Sequence, residues 1–323
     1  MNDLTDMPDA VVVIVTYNSA RDIAACIQSL DKHFPLLAQG RGQVHVVDNA
    51  STDDTPEILK RLVTEHAWLQ LHMQRENLGF GPGNNVVLNS VPARAHILLN
   101  ADAYLVADSL SPALEHLSHR HDIGVLGLPL VYPDGAPQTY AFRYSSWHRW
   151  LLHVLGARHL AKAMLGLAPL RGLMARLPYT RSFAQNHAVG RLDLDNAQAL
   201  AASQTLKARP AEWVAGAVMV LTPGFLKASG GFDPNIFLYG EDEDLCIQSR
   251  KLGYRVMTLA TTPVVHVLGW GGATNFRPVV ARLKYNSLKY FIRKDVDGAL
   301  NRALMRAVLP FYVYGRNIRH LWS

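Results

Sequence analysis

The stretch AVVVIVTYNS, residues 10–19, determines how the chain begins to fold. Its first six residues are a nearly continuous run of valine and isoleucine, which is typical of a parallel strand covered on both faces. Asn18 and Ser19 favour the start of a helix, and the apolar residues after them recur at helical spacing up to Leu30. The stretch therefore predicts a buried strand followed by a helix over about 20–32.

The same unit recurs along the first half of the chain. Strand-like segments near 44–47, 68–73 and 95–99 follow the first one. Helix signals stand between them, with Pro56 at a first helical position and a helix predicted from about Asn84. A strand and then a helix, four times over, predicts an α/β fold with a mainly parallel sheet and right-handed crossovers.

Polar residues stand at the carboxyl ends of all four predicted strands, where ligands bind in open parallel sheets. They are Thr16, Tyr17, Asn18, Asp48, Asn49, Arg75, Asn77, Asn100 and Asp102. At any single position such residues are also ordinary turn and cap residues. Their coincidence at four strand ends indicates a ligand site along this edge of the sheet.

The composition is that of a globular protein. The chain has 323 residues, 49% hydrophobic and 18% charged, which excludes a disordered or collagen-like chain. Cys26 and Cys246 are the only cysteines, which excludes a disulfide framework and a cysteine-based metal site and favours a reducing, cytoplasmic setting. Residues 1–10 carry three Asp and no Lys or Arg, unlike a secretory signal. The longest stretch without charged residues, 256–276, contains proline and glycine, and we predict no transmembrane segment.

The net charge of +6 is unevenly distributed. Residues 146–178 contain five Lys or Arg and no acid, and residues 277–323 contain ten against two Asp, so the two segments carry +13 and the rest of the chain −7. Aromatic and leucine residues alternate with these basic groups. Such segments suit an anionic inner membrane surface, which we expect as a partner rather than nucleic acid. Packed helices with a solvated basic face are an equally good interpretation.

Four consecutive acids, Glu241, Asp242, Glu243 and Asp244, open a helix that is predicted to end at Gly253. Acids suit the positive end of a helix dipole, so capping charge is one interpretation. Like charges this close also raise one another's pKa and favour a general base or a metal ligand, which is the other interpretation.

Two further residues are candidate metal ligands. Asp102 ends a buried strand, and a carboxylate there suits Mg²⁺ or Mn²⁺ together with substrate phosphate oxygens. His266 lies on a later predicted strand, and its imidazole suits Mn²⁺ in particular. A hydrogen-bonded core histidine is the alternative interpretation of that residue.

The glycine-rich segment 79–85 invites a dinucleotide-binding interpretation and hence a dehydrogenase. Its spacing is G-x-G-x-G, and Asn84 stands where the third glycine belongs. Pro82 also removes a backbone N–H that a phosphate would need. A dehydrogenase is therefore the weaker alternative.

Seven motifs occur in order between about residues 11 and 272, with a break at 132–209. They are VVVIVTYNS, VVDNAS, NLGFGPGNN, LLNAD, WVAGAVMVL, GGFDPNIFLYGEDEDLC and VVHVLGWGG. Together they closely resemble the family 2 glycosyltransferases, particularly the rhamnosyltransferase-like branch. The resemblance implies a GT-A fold, a Rossmann-like, mainly parallel sheet flanked by helices. It also implies a nucleotide-sugar donor, Mg²⁺ or Mn²⁺, and glycosyl transfer with inversion at the anomeric carbon.

The resemblance assigns roles to the residues that match its motifs. The donor-binding residues are Thr16, Tyr17, Asn18, Asp48, Arg75, Asn77, Gly79, Asn100, Ala101 and Asp102. Asp102 and His266 match the metal ligands, and Asn100 holds the place of the family's first motif aspartate, which removes one anionic metal contact.

The acceptor side is predicted in the same way. Asp242 matches the catalytic base, with Glu241 and Asp244 as supporting acids. Gly216 and Ala217 would let an acceptor pass close to the backbone, and Trp213 begins the same segment. We expect these last three residues to contact the acceptor.

We expect one catalytic domain over 1–276, which divides into a donor-binding half at about 10–131, a basic helical insertion at about 146–209 and an acceptor half at about 210–276. A basic amphipathic helical extension, 277–323, follows it. The sequence leaves open whether the chain forms an oligomer.

The expected activity is that of a hexosyltransferase of cell-wall and surface polysaccharide biosynthesis. It would move rhamnose from dTDP-rhamnose to a hydroxyl of a polyprenyl-diphosphate-linked saccharide, at the inner face of the cytoplasmic membrane. The alternatives are a UDP-sugar donor, an oligosaccharide acceptor, an NAD(P)-dependent dehydrogenase, and a non-catalytic sugar- or lipid-binding homologue.

Overall fold

The structure, a computed structural model, describes residues 7–155, 194, 197, 206–268 and 278–318, with the last three as backbone only. Most of the predicted basic insertion, the end of the motif VVHVLGWGG and the last residues of the predicted extension lie outside these residues.

Fourteen strands are present in the described residues. They are β1 (Ala10–Thr16), β2 (Gly42–Asp48), β3 (Leu69–Met73), β4 (His96–Leu99), β5 (Ala103–Tyr104), β6 (Ile123–Gly127), β7 (Leu130–Val131), β8 (Pro137–Gln138), β9 (Ala141–Phe142), β10 (Ala208–Pro210), β11 (Trp213–Val214), β12 (Val218–Leu221), β13 (Arg255–Leu259) and β14 (Val264–His266).

Nine helices accompany them in the same part of the chain. They are α1 (Ile23–His33), α2 (Thr55–Glu65), α3 (Phe80–Leu88), α4 (Ser111–Ser118), α5 (Trp147–Val154), α6 (Pro223–Ser229), α7 (Glu241–Lys251), α8 (Pro278–Asp295) and α9 (Ala299–Ile318).

The central sheet has the strand order β10-β13-β6-β12-β4-β1-β2-β3. The neighbours β1 and β2, β1 and β4, β2 and β3, and β6 and β13 are parallel. Strand β12 runs antiparallel between β4 and β6, and β10 pairs antiparallel at the edge. The prediction of a mainly parallel sheet is confirmed.

Strand β1 is buried on both faces, as its valine-rich sequence predicts. Val12 and Ile14 pack into one core cluster with α1 and α2, whereas Val11 and Val13 pack into another with α3, α6 and α7. Side chains alternate between the two faces of a strand, so both layers of helices bury part of the same run.

One predicted boundary is wrong. Helix α3 begins at Phe80, not near Asn84, because a proline such as Pro82 is tolerated in the first turn of a helix. The motif WVAGAVMVL, residues 213–221, contains two strands in different sheets, β11 and β12, separated by residues 215–217. The sequence break after 132 also contains regular structure, in β8, β9 and α5.

Two small sheets lie beside the central one. Strand β9 pairs with β11, and the strands β5, β14, β7 and β8 form a four-stranded sheet in that order. In the latter, His266 lies opposite Ala103, at the end of the loop that follows β4. This pairing brings the late histidine to the carboxyl end of a central strand.

The C-terminal helices pack with α5 around their own apolar cluster. Trp150 is 4% exposed and Phe291 1%, and the Trp150 ring stacks on Tyr312 at 4.6 Å. The packed-helix interpretation of the basic segments is therefore correct for these aromatic residues. None of the described helices is long and apolar enough to cross a membrane.

Candidate active site

A cavity of about 560 Å³ lies beyond the carboxyl ends of β1 and β4, against the 215–217 turn and the start of α7. Ten of the predicted site residues line it. They are Tyr17, Asn100, Ala101, Asp102, Trp213, Gly216, Ala217, Glu241, Asp242 and His266. The structure thus brings predicted donor, metal and acceptor residues to one space.

The two predicted metal ligands are neighbours in this cavity. The Nε2 atom of His266 lies 3.3 Å from Oδ1 of Asp102 and 3.3 Å from Nδ2 of Asn100. The pairing of β5 with β14 produces this proximity, and the N–H of Val267 also donates to the carbonyl of Asp102 at 3.0 Å.

This group of side chains fits a divalent cation. The Oδ1 atom of Asn100 is buried and has no hydrogen-bond partner among the described residues. An amide oxygen, a carboxylate and an imidazole nitrogen are suitable ligands for Mg²⁺ or Mn²⁺. The described residues contain no group of three or more His, Cys, Asp or Glu that could bind a metal. Further ligands would therefore come from donor phosphates or water.

Gln138 fixes the orientation of His266. Its Oε1 lies 3.1 Å from His266 Nδ1, and its Nε2 donates to the His266 carbonyl at 2.5 Å. An Nδ1–H that donates to Gln138 leaves the Nε2 lone pair on the side of Asp102. Sequence reasoning missed Gln138, because it lies in the break between the motifs and no spacing marks it.

Asp242 lies in the first turn of α7, with its side chain partly open to the cavity. Its Oδ2 accepts a hydrogen bond from the N–H of Gly216 at 3.3 Å. In the same turn of chain, the Ala217 carbonyl accepts from the N–H of Asn100 at 3.0 Å. The 215–217 turn therefore connects Asp242 to the strand end that carries the metal-ligand candidates.

The electrostatics of α7 suit a base. Burial raises the pKa of Asp242 to about 6, partly offset by hydrogen bonds from the Glu243 and Gly216 N–H groups. Burial and the nearby Asp242 charge raise the pKa of Glu241 to about 8. Of these two acids, Asp242 has the less raised pKa, so it is the one better suited to lose its proton and act as a base.

The other two acids of the cluster do not line the cavity. Glu243 accepts hydrogen bonds from the N–H and hydroxyl of Ser145. Asp244 is fully buried and accepts from Lys294 of α8 at 2.5 Å. Lys294 also pairs with Asp233 at 2.7 Å. Asp244, which was predicted to support the base, instead links α7 to the C-terminal helices and does not line the cavity.

Three predicted donor residues stabilise the loop after β2. Asp48 is fully buried, and its carboxylate accepts from the N–H and hydroxyl of Ser51. The Asn18 N–H donates to Ser51 Oγ at 2.8 Å, and its Oδ1 accepts from the N–H of Thr52. Thr16 is buried beneath them. Their contact with a nucleotide remains a prediction.

The glycine-rich segment is used for close packing. Gly79 has a φ of 90°, and its N–H donates a hydrogen bond to Asn77 Oδ1 at 2.9 Å. A Cβ at Gly79 would collide with the Phe237 carbonyl, and one at Gly81 would lie 2.9 Å from Phe232. These contacts account for the glycines without a dinucleotide. Arg75 is exposed and does not line the cavity.

Several aromatic residues line the side of the cavity where the acceptor is predicted to bind. Phe142 stacks on Trp213 with ring centroids 4.1 Å apart. Tyr239 lines the cavity and lies beneath the ammonium group of Lys284, 4.7 Å from the ring centroid. Tyr239 precedes the acidic cluster in sequence, which was a usable signal, whereas no motif marked Phe142.

Comparisons with known proteins show similarity to glycosyltransferases. The glycosyl transferase family 2 model matches residues 11–168. An N-acetylglucosaminyl-diphospho-decaprenol L-rhamnosyltransferase of Mycobacterium tuberculosis is 25% identical over 266 residues, which cover 79% of this chain and 75% of that protein. The poly(ribitol-phosphate) beta-N-acetylglucosaminyltransferase TarS of Staphylococcus aureus is 27% identical over 130 residues, 40% of this chain and 22% of its own length.

Among solved structures, a mannosyltransferase from Pyrobaculum calidifontis in complex with GDP-Man and Mn²⁺ is similar in fold. The TM-score is 0.55 at 18% identity, over 96% of this chain and 70% of that one. At this identity the likeness concerns the fold, and it confirms the GT-A architecture that the motifs predict.

Proposed function

Residues 11–168 belong to glycosyl transferase family 2, and the chain is a glycosyltransferase. From this premise we propose that the enzyme transfers a sugar to a hydroxyl of a lipid-linked saccharide. The donor is a nucleotide sugar, and the anomeric carbon is inverted. One observation carries the proposal. A single cavity contains a partly open carboxylate, Asp242, together with Asn100, Asp102 and His266, whose atoms suit a cation.

The proposed reaction uses Asp242 as general base. The acceptor hydroxyl attacks the anomeric carbon on the face opposite the nucleoside diphosphate, and its proton passes to the Asp242 carboxylate. The bond from the anomeric carbon to the diphosphate oxygen breaks, and its electron pair leaves with the diphosphate. A divalent cation held by Asp102, His266 and the Asn100 amide oxygen would neutralise negative charge on this leaving group.

For the donor we propose dTDP-rhamnose. The relative that covers most of this chain is named as an L-rhamnosyltransferase acting on N-acetylglucosaminyl-diphospho-decaprenol. A saccharide joined to a polyprenyl diphosphate is accordingly the proposed acceptor, in the assembly of a surface polysaccharide.

A UDP-sugar is the second candidate donor. The TarS relative is named as an N-acetylglucosaminyltransferase, and a solved TarS structure contains UDP-GlcNAc. The same base and cation ligands would serve both donors, because the leaving group is a nucleoside diphosphate in each.

The test compares donors and variants. Calorimetry with dTDP-rhamnose, UDP-GlcNAc and GDP-mannose, with and without Mn²⁺, gives donor affinity. Transfer to a short-chain lipid-linked acceptor then gives activity. We expect Asp242→Asn to bind donor but lose transfer, and Asp102→Ala to lose the Mn²⁺-dependent part of donor affinity. Equal affinity of Asp102→Ala and wild type with Mn²⁺ present would contradict the cation site.

We also propose that the chain works at the cytoplasmic face of the membrane, attached peripherally through α9. One face of this helix is exposed and mostly apolar, with Leu300 73% and Phe311 58% exposed. Ala303 and Ala307 lie between them at helical spacing, and Arg306 adjoins this face. An apolar stripe beside basic groups suits the interface of an anionic bilayer.

Sedimentation with phosphatidylglycerol vesicles at low salt tests this attachment. We expect wild type to sediment and the double variant Leu300→Asp/Phe311→Asp to remain in the supernatant. Val279→Asp is the control, because Val279 is also exposed but lies on α8. A wild-type protein that does not bind the vesicles contradicts the proposal.

A further inference from the structure

A second cavity, of about 640 Å³, lies beside the catalytic one and is lined by four arginines. They are Arg143, Arg209, Arg250 and Arg255, and Glu212 is the one acidic residue among the described residues of the lining. We call this cavity the arginine groove. None of its arginines belongs to a motif or has a role predicted from the sequence.

The groove and the catalytic cavity share a wall. Phe142 lines both, and it stacks on Trp213 of the catalytic cavity at 4.1 Å. The indole N–H of Trp213 donates to the Arg143 carbonyl at 2.9 Å. The two-stranded β9–β11 ribbon is therefore the partition between the two spaces.

The positive charge of the groove is only partly neutralised. Glu212 lies 4.0 Å from Arg143, and its other oxygen accepts from the N–H of Tyr144. Arg255 pairs with Asp122 at 2.9 Å, with both side chains about half exposed. Within the described part of the chain, Arg209 and Arg250 have no carboxylate in ion-pair distance.

Arg250 is also held in place. Its guanidinium carbon lies 5.4 Å from the centroid of the Tyr144 ring, close enough for a cation–π contact. A planar guanidinium with an ordered position binds phosphate oxygens through two parallel hydrogen bonds. The groove thus has the charge and the donor geometry of a site for a phosphorylated ligand.

We propose that the arginine groove binds a diphosphate, namely that of the lipid-linked acceptor. This inference rests on the proposed function. When a sugar is joined through its anomeric carbon to a diphosphate, the diphosphate lies one sugar ring from the hydroxyl that reacts. A hydroxyl at Asp242 and a diphosphate in the groove would lie on the two sides of the Phe142–Trp213 partition, with Asp242 and Arg250 eight residues apart on α7.

A free diphosphate, such as pyrophosphate or the released nucleotide, has the same chemistry, so the experiment separates the two sources. The variant is Arg209→Gln/Arg250→Gln, in the full chain. Its KM is measured for a farnesyl-diphosphate-linked sugar and for an octyl glycoside of the same sugar. Inhibition of transfer to the octyl glycoside by pyrophosphate and donor hydrolysis are measured in parallel.

We expect the KM for the diphosphate-linked acceptor to rise about tenfold or more, the effect of losing a charged hydrogen bond. The KM for the octyl glycoside and the rate of donor hydrolysis should change by about twofold at most, since charges outside the catalytic cavity contribute little there. Lys60→Gln/Arg61→Gln removes two charges from exposed positions of α2 and is the matched control.

Two results overturn the inference. An unchanged KM for the diphosphate-linked acceptor shows that the groove does not bind it. Weaker pyrophosphate inhibition with that KM unchanged assigns the groove to free diphosphates instead. If wild type hydrolyses no nucleotide sugar and transfers to neither acceptor, the proposed function fails. Calorimetric titration of both proteins with pyrophosphate then still tests whether the groove binds a diphosphate.

Discussion

Replacing Asp242 by asparagine tests the proposed base and its environment together. The amide keeps the size of the side chain and can still accept the hydrogen bond from Gly216, but it cannot accept the proton of the acceptor. General bases contribute about 10²- to 10⁴-fold to the rate. We expect transfer to fall by that factor, with donor affinity nearly unchanged.

The same change should stabilise the fold at alkaline pH. Burial raises the pKa of Asp242 from its usual 3.8 to about 6, and each pKa unit corresponds to about 1.4 kcal/mol. The full shift would amount to about 3 kcal/mol, and partial exposure to the cavity reduces it, so we expect about 1–3 kcal/mol. The folded state binds this proton more tightly than the unfolded state, so wild-type stability falls as pH rises from about 4 to 6. Asp242→Asn lacks this loss.

Urea unfolding at pH 4, 6 and 8 measures the difference. We expect the two proteins to be about equally stable at pH 4, and the variant to be more stable at pH 8. Glu243→Gln is the control, because burial raises the pKa of Glu243 to about 8 while its side chain bonds to Ser145 rather than lining the cavity. It should also gain stability at pH 8 but retain transfer. Wild-type turnover in Asp242→Asn would refute the base assignment, and no gain in stability would refute the electrostatic argument.

Three further predictions concern the supports of the site. Lys294→Met, which leaves buried acids without their cation, should cost about 3 kcal/mol of unfolding free energy in urea. Arg61→Met, which breaks an exposed ion pair with Glu65, should cost about 0.5 kcal/mol or less. Equal losses of unfolding free energy in the two variants would contradict the buried network. Gly79→Ala, with positive φ and a blocked Cβ position, should cost about 3 kcal/mol in the same assay. Gly40→Ala, at a position with positive φ but open space around a Cβ, should cost about 1 kcal/mol. Similar losses of unfolding free energy for the two glycine variants would argue against close packing at Gly79. Gln138→Leu should weaken Mn²⁺ binding about tenfold, measured by calorimetry, and unchanged affinity would remove its orienting role.

The C-terminal helices contact the candidate active site as well as providing the proposed membrane contact. Lys294 joins α8 to α7, the helix that carries the proposed base, through Asp244. Lys284 lies between the rings of Tyr239 at the cavity and Tyr312 of α9. A membrane-bound α9 would therefore contact, through Lys284, the Tyr239 side of the cavity.

The sequence alone determined the features that depend on short-range pattern. The valine run of β1 predicted a strand buried on both faces, and helical spacing predicted α1. Asp102 and Asp242 stand in contiguous motifs at a strand end and a helix start. Hydrophobic periodicity and helix capping depend only on residues close in sequence, so these features can be predicted without knowing which segments pack together.

Long-range contacts were decided only by the tertiary structure. The sequence named His266 as a candidate, but the pairing of β5 with β14 placed it beside Asp102. Gln138 and the arginine groove had no local signal, because their residues come together from separate segments. The direction of Asp244, toward Lys294 and away from the cavity, follows from how α8 packs on α7. Such contacts depend on which surfaces are buried together across the fold, and a linear pattern does not contain that information.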